Sequence, residues 1–182
     1  PPRSTLFPYT TLFRSQKGYC TPEVYDGVPS RFYRNNRDGT FTDETSVAGF
    51  LPAPGKTLGV SEFDFNQDGF PDLAVANDLA RDLLYENNKD GTFSEIGTIT
   101  GMAYDEMGKA RAGMGIDVGI VDSSGEPTIF VGNFQDEMFS VYKYNPAGYF
   151  TDIAAKSRLG RESLKVLTRS EERRVGKECR SR

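Results

Sequence analysis

DFNQDGFPDL, Asp64 to Leu73, sets acidic or amide side chains at Asp64, Asn66, Asp68 and Asp72, with Gly69 among them. Two readings compete for such a stretch. Either it gathers oxygen ligands around a cation, or it is a polar turn whose Asp and Asn side chains bond their own backbone. Both place it between two strands, and its neighbours decide which fold those strands build.

Phe63 and Phe65 before the loop, and Leu73 and Val75 after it, lie in short runs with a two-residue period. Such runs, bounded by Gly and Asp, read as half-buried strands rather than helices. The whole stretch recurs: GVSEFDFNQDGFPDLAVAN (59–77) aligns without gaps to GIDVGIVDSSGEPTIFVGN (115–133). A second pattern recurs in FYRNNRDGTFTDETSVAGF (32–50), LYENNKDGTFSEIGTITGM (84–102) and, more weakly, VYKYNPAGYFTDIAAKSRLG (141–160). Tyr33, Tyr85 and Tyr142 mark equivalent points, 52 and 57 residues apart. Each copy reads as strand, tight turn, strand, with Asp-Gly expected to supply the positive φ angles of a two-residue hairpin.

Each unit thus holds about four short strands in about 50 residues, which suggests a propeller blade. A β-sandwich, the rival architecture, does not explain why whole four-strand units recur. The expected fold is all-β: part of a β-propeller with about three blades of four-stranded antiparallel sheet, at roughly 17–50, 57–102 and 113–160.

The chain resembles the cartilage-acidic-protein-like proteins built from FG-GAP or VCBS-type repeats, related to the integrin alpha-chain propeller. DFNQDGFPDLAVAND (64–78), LLYENNKDGTFSE (83–95), AYDEMGKARAGMG (103–115) and FYRNNRDGTFTD (32–43) carry the resemblance, which covers essentially all of 17–160. It implies an exported protein folding as a multi-bladed propeller, often with a C-terminal ASPIC/UnbV-type domain that is not visible here. Three blades cannot close a ring, so the remaining blades of a longer parent chain are expected as neighbours.

The two ends read differently from the body. Residues 2–15 are PRSTLFPYTTLFRS and residues 169–182 are RSEERRVGKECRSR. One codon choice for the second gives a DNA strand whose reverse complement, read in frame, encodes the first. A single DNA element in opposite orientations therefore accounts for both, and it resembles a sequencing-library adapter. Residues 1–15 and 169–182 are read as translated adapter around a truncated reading frame, and such scars are excluded from fold reasoning. The alternative is a genuine basic tail. Without the ends, residues 16–168 carry 14 basic and 23 acidic residues, a net charge of −9 rather than −4. So acidic a body repels nucleic-acid backbones, and no nucleic-acid partner is expected. Cys20 is left without a second cysteine in the body, so no disulfide is argued. No stretch approaches the length of an apolar membrane span.

In the loop, Asp64, Asn66 and Asp68 take positions 1, 3 and 5 of a calcium-type ligand set. Gly69 permits the sharp turn, the Phe70 carbonyl stands at position 7, and Asp72 closes the set at position 9. Position 12 is Val75 rather than Glu, and a strand follows rather than a helix, so this is not an EF-hand. It matches the calcium loop of FG-GAP-like blades. Calcium is preferred to magnesium because every ligand is a protein oxygen, and its expected role is structural. The third unit has Ile120, Asp122, Ser124 and Thr128 at the four side-chain positions, so no ion is expected there. Asn35, Asn36 and Asp38, with Asn87, Asn88 and Asp90, read as turn chemistry. Asn77 and Asp78 follow a strand and are weaker ligand-binding candidates. Gly113, Met114 and Gly115 precede a strand, where glycine lets blades approach closely.

Catalysis has little support. The chain has no histidine, the commonest general base, and no serine elbow motif. The expected function is that of a non-catalytic, calcium-stabilised, extracellular or periplasmic repeat protein for adhesion, recognition or carbohydrate binding. The alternative is a propeller accessory to a larger exported hydrolase.

Overall fold

The computed structural model describes residues 10–13, 16–19, 22, 25–134 and 136–164. Cys20, most of the 1–15 segment and all of 169–182 lie outside the described residues. From that first segment, β1 (Thr10–Phe13) pairs antiparallel with β2 (Gln16–Tyr19), which follows it.

Two complete four-stranded antiparallel sheets form the centre of the molecule. The second unit comprises β7 (Thr57–Phe63), β8 (Asp72–Asn77), β9 (Leu83–Asn87) and β10 (Phe93–Glu95), each strand beside the next. The third comprises β11 (Gly113–Ile120), β12 (Pro127–Asn133), β13 (Ser140–Asn145) and β14 (Tyr149–Asp152) in the same order. The first unit is present as its outer hairpin, β4 (Tyr33–Asn35) with β5 (Phe41–Asp43). Beside it β3 (Val28–Pro29) pairs with β6 (Pro54–Gly55). The described residues also include α1 (Gly97–Thr100), a 3-10 turn (Ala154–Lys156) and α2 (Arg158–Ser163).

The two-residue period explains the stacking. On β8, Ala74 and Ala76 share a core with Ile129, Val131, Tyr142 and Phe150 of the third unit. Leu73 and Val75, on the other face, share a core with Ala48, Phe50 and Ala53 of the first. On β9, Leu84 faces one way, and Leu83 and Tyr85 the other. The second sheet is therefore sandwiched between its neighbours, and burying each large apolar side chain contributes about 1.5–3 kcal/mol. The first unit's outward face has no such cover. Tyr33 and Phe41 are 54% and 63% exposed, whereas Tyr85 and Tyr142, the counterparts of Tyr33, are 0% and 2% exposed, and Phe150, a counterpart of Phe41, is 4% exposed.

Glycine sets how closely the sheets approach. A Cβ on Gly59 would stand 3.2 Å from Ile116 Cγ2 and 3.3 Å from the Gly115 Cα, so the inner strands touch backbone to side chain, as the GMG stretch suggests. At the rim, Gly101 ends α1 with φ 81°, and a Cβ there would lie 2.8 Å from the Phe150 carbonyl. The A-R-A-G-M-G stretch has a second task. The Arg111 guanidinium meets Asp152 at 3.0 Å, Asp105 at 3.4 Å and the Ser140 hydroxyl at 3.1 Å, pinning the 103–112 connection to the third sheet.

The hairpin turns correct one expectation. Positive φ falls on Arg37 and Gly39, and on Lys89 and Gly91, not on an Asp-Gly pair. The turns are longer than two residues because Asn35 pairs with Phe41 and Asn87 with Phe93. Asp38 and Asp90 instead use Oδ1 to accept the amide and hydroxyl of Thr40 and Thr92. These contacts hold both carboxyls below the usual range. The turn-chemistry reading of the Asn and Asp residues matches this bonding.

Candidate metal centre

The loop leaves β7 at Phe63 and enters β8 at Asp72. Sequence places its acids at alternate positions, and the turn folds them inward. Asp64 Oδ1 accepts the Asp68 amide at 3.0 Å, and Oδ2 accepts the Gly69 amide at 2.7 Å. Asn66 Oδ1 also accepts the Asp68 amide, and Asp68 Oδ1 accepts the Phe70 amide at 2.9 Å. Gln67 and Gly69 supply the positive φ values, 57° and 87°. Asp72 is fully buried, its two oxygens accepting the Phe65 and Asn87 amides at 3.1 and 2.9 Å.

The electrostatics are unbalanced. Burial pushes the Asp72 carboxyl up to about 6 despite its two amide donors, and the charges of Asp68 and Asp64 add to the rise. Burial also works against the Asp68 carboxylate, yet Lys89, the Phe70 amide and Asn66 hold it below the usual range. Lys89 Nζ stands 3.0 Å from Asp68 Oδ2 and 5.5 Å from the centre of the Phe70 ring. An ammonium is thus already drawn to the loop.

Sequence reasoning brought together Asp64, Asn66, Asp68 and Asp72, and the fold keeps them on one turn with the Phe70 backbone alongside. Among the described residues, no three Asp, Glu, His or Cys side chains converge as an ion's ligands in this arrangement. Their oxygens are turned to amides, as a polar turn requires. A carboxylate has about four lone-pair sites, so each amide bond leaves capacity for a cation. The donor set, three carboxylates with an amide and a carbonyl, is that of a hard cation.

Two contacts lay outside the sequence reading. Asn66 Nδ2 donates to Glu86 Oε1 at 3.2 Å, across from β9, and Lys89 reaches Asp68 from the next turn. The alternation of LLYEN holds a faint signal, since Glu86 is a polar residue beside the buried Tyr85. The weaker candidates separate. Asn77 is fully buried, its Oδ1 taken by the Thr57 hydroxyl and its Nδ2 by the Arg81 carbonyl. Asp78 lies beside a groove of about 400 Å³ with Asp26, Lys56 and Thr57, and burial raises its carboxyl against the pull of Lys56.

In the third unit, Asp122 Oδ1 accepts the Ser124 amide and hydroxyl, and its Oδ2 pairs with Lys143. Lys143, then Ser124, holds this carboxyl well below the usual range. Ile120 is 67% exposed, and the buried Thr128 hydroxyl has no partner.

The architecture defines a class: consecutive antiparallel four-stranded repeats, each with an acid-bearing turn between its first two strands. Residues 24–75 and 64–119 each match the FG-GAP-like repeat, and together they span more than half of the chain. The chain belongs to the FG-GAP-like repeat family. No curated protein matches it. No helix among the described residues is long and apolar enough to cross a membrane.

Proposed function

We propose that the chain is part of a calcium-stabilised, non-catalytic propeller at the cell surface, outside the cell or in the periplasm, serving adhesion, recognition or carbohydrate binding. The carrying observation is the second unit's loop, where three carboxylates, the buried Asp72 among them, stand on one turn inside a family repeat. Asp64, Asn66, Asp68 and Asp72, with the Phe70 carbonyl, would hold the ion. Bound calcium would supply only charge neutralisation and cross-linking of the turn, which stabilises the folded state by linkage, about 2.7 kcal/mol at a hundredfold excess over Kd.

The exposed Tyr33, whose counterparts Tyr85 and Tyr142 are buried, supports further blades in a longer parent. The stretches 64–78, 83–95 and 103–115 favour the cartilage-acidic-protein-like, ASPIC/UnbV-associated branch. The complementary coding of 2–15 and 169–182 supports an adapter origin for both ends.

Thermal melts of the chain in calcium and in chelator test the reading. Calcium raises the melting temperature, and Asp68→Ala removes that rise. Superimposable melts of the unsubstituted chain with and without chelator would overturn the metal role.

A further inference from the structure

Leu73 lies opposite Tyr85 across β8 and β9, and Ile129 lies opposite Tyr142 across β12 and β13. Leu73 and Ile129 are equivalent in the gapless alignment of 59–77 with 115–133. The next residues along, Glu86 and Lys143, therefore occupy one position of the repeat. Both reach the loop of their own unit at the same place. Glu86 Oε1 accepts the Asn66 amide, Lys143 Nζ pairs with Asp122 Oδ2, and Asn66 and Asp122 are themselves equivalent. Opposite charges thus meet the same loop position in successive sheets.

In the third unit, Lys143 is a built-in cation that neutralises Asp122, the one carboxylate among Ile120, Asp122, Ser124 and Thr128. In the second, the same position brings a further carboxylate to Asn66 of the loop that carries Asp64, Asp68 and Asp72. Glu86 also holds the Asn66 amide nitrogen, which leaves Asn66 Oδ1 turned into the loop toward the Asp68 amide.

We infer that Glu86 is a positioning residue of the cation site: it orients Asn66 and adds a fourth negative charge from the neighbouring strand. The exchange of Glu for Lys at this repeat position acts together with the loss of carboxylates at Ile120, Ser124 and Thr128 to leave the third loop without an ion. This rests on the calcium reading of the 64–72 loop. Removing a partner that orients a ligand costs about 10- to 100-fold in metal affinity.

The test is calcium titration of the full chain by calorimetry, with Glu86→Gln and Glu86→Lys, alongside calcium-free melts. Gln keeps an acceptor for Asn66 but not the charge, and Lys copies the third unit. The expected result is calcium binding by the unsubstituted chain, binding about tenfold or more weaker for Glu86→Gln, and none for Glu86→Lys. The calcium-free melting temperature of Glu86→Gln should stay unchanged. Equal affinity in Glu86→Gln overturns the role of Glu86 while leaving the calcium site standing. Weaker binding with a matching loss of calcium-free stability makes Glu86 a packing residue and also overturns it. No binding by the unsubstituted chain overturns the calcium reading itself, and this inference with it.

Discussion

In the second unit the chain passes from β7 to β8 through Asp64, Asn66, Asp68 and Asp72; in the third it passes from β11 to β12 through Ile120, Asp122, Ser124 and Thr128. The strands on either side keep the same order and the same pairing. The second loop is rich in carboxylates, one of them fully buried, with Glu86 beside them. The third keeps one carboxylate at the four equivalent positions, Asp122, and Lys143 neutralises it. The difference shows that the sheet does not require the acids. A blade forms around either loop.

The largest break in this contrast comes from the buried position. Asp72→Ala strands the Phe65 and Asn87 amides without their acceptor, a loss of about 3 kcal/mol on the scale of bonds to charged groups. Its counterpart Thr128→Val removes a hydroxyl that has no partner. It should be neutral or stabilising by about 1 kcal/mol. Chemical denaturation of both variants checks the pair, and equal losses would erase the distinction between the loops.

A second contrast is set by pH. Burial pushes Asp82 up to about 8, against the lowering pull of the Asn77 amide and Arg111, from an ordinary value of 3.8. Its repeat counterpart is Phe139. The folded state holds the proton more tightly than the unfolded chain. The resulting stability is fully present below 3.8 and is lost as pH rises toward about 8. Asp82→Asn keeps an acceptor for the Asn77 amide and removes the charge. Its melting temperature should fall less than that of the unsubstituted chain between pH 5 and pH 8. Parallel melts at the two pH values would contradict the burial argument.

The smallest effect belongs to the third loop's own cation. Lys143 and Asp122 are 36% and 41% exposed, so Lys143→Met should cost little stability, and less in high salt. Denaturation at low and high salt reads it, and a loss of several kcal/mol would mean that the pair supports the sheet.

Much of this was legible in the sequence because it depends on spacing. The repeated Tyr33, Tyr85 and Tyr142, the two-residue period around Leu73 and Val75, and the acids at alternate positions all mark strands and the turn between them. The hairpin turns were misread because Asp38 and Asp90 spend their carboxylates on Thr40 and Thr92, which moves the positive φ to their neighbours. Glu86, Lys89 and Lys143 were missed for another reason. Their partners lie across a strand pair, and only the register of the sheet brings them together. Arg111 stands 41 residues from Asp152 in the chain, a distance at which no motif spacing could have paired them.

Calcium titration of the full chain by calorimetry measures the central contrast most directly, because it counts sites. A loop that takes an ion in the second unit and a self-neutralised loop in the third give one calcium ion per chain. None would leave the Asp64–Asp72 loop a polar turn, and two would show that Lys143 does not stand in for an ion.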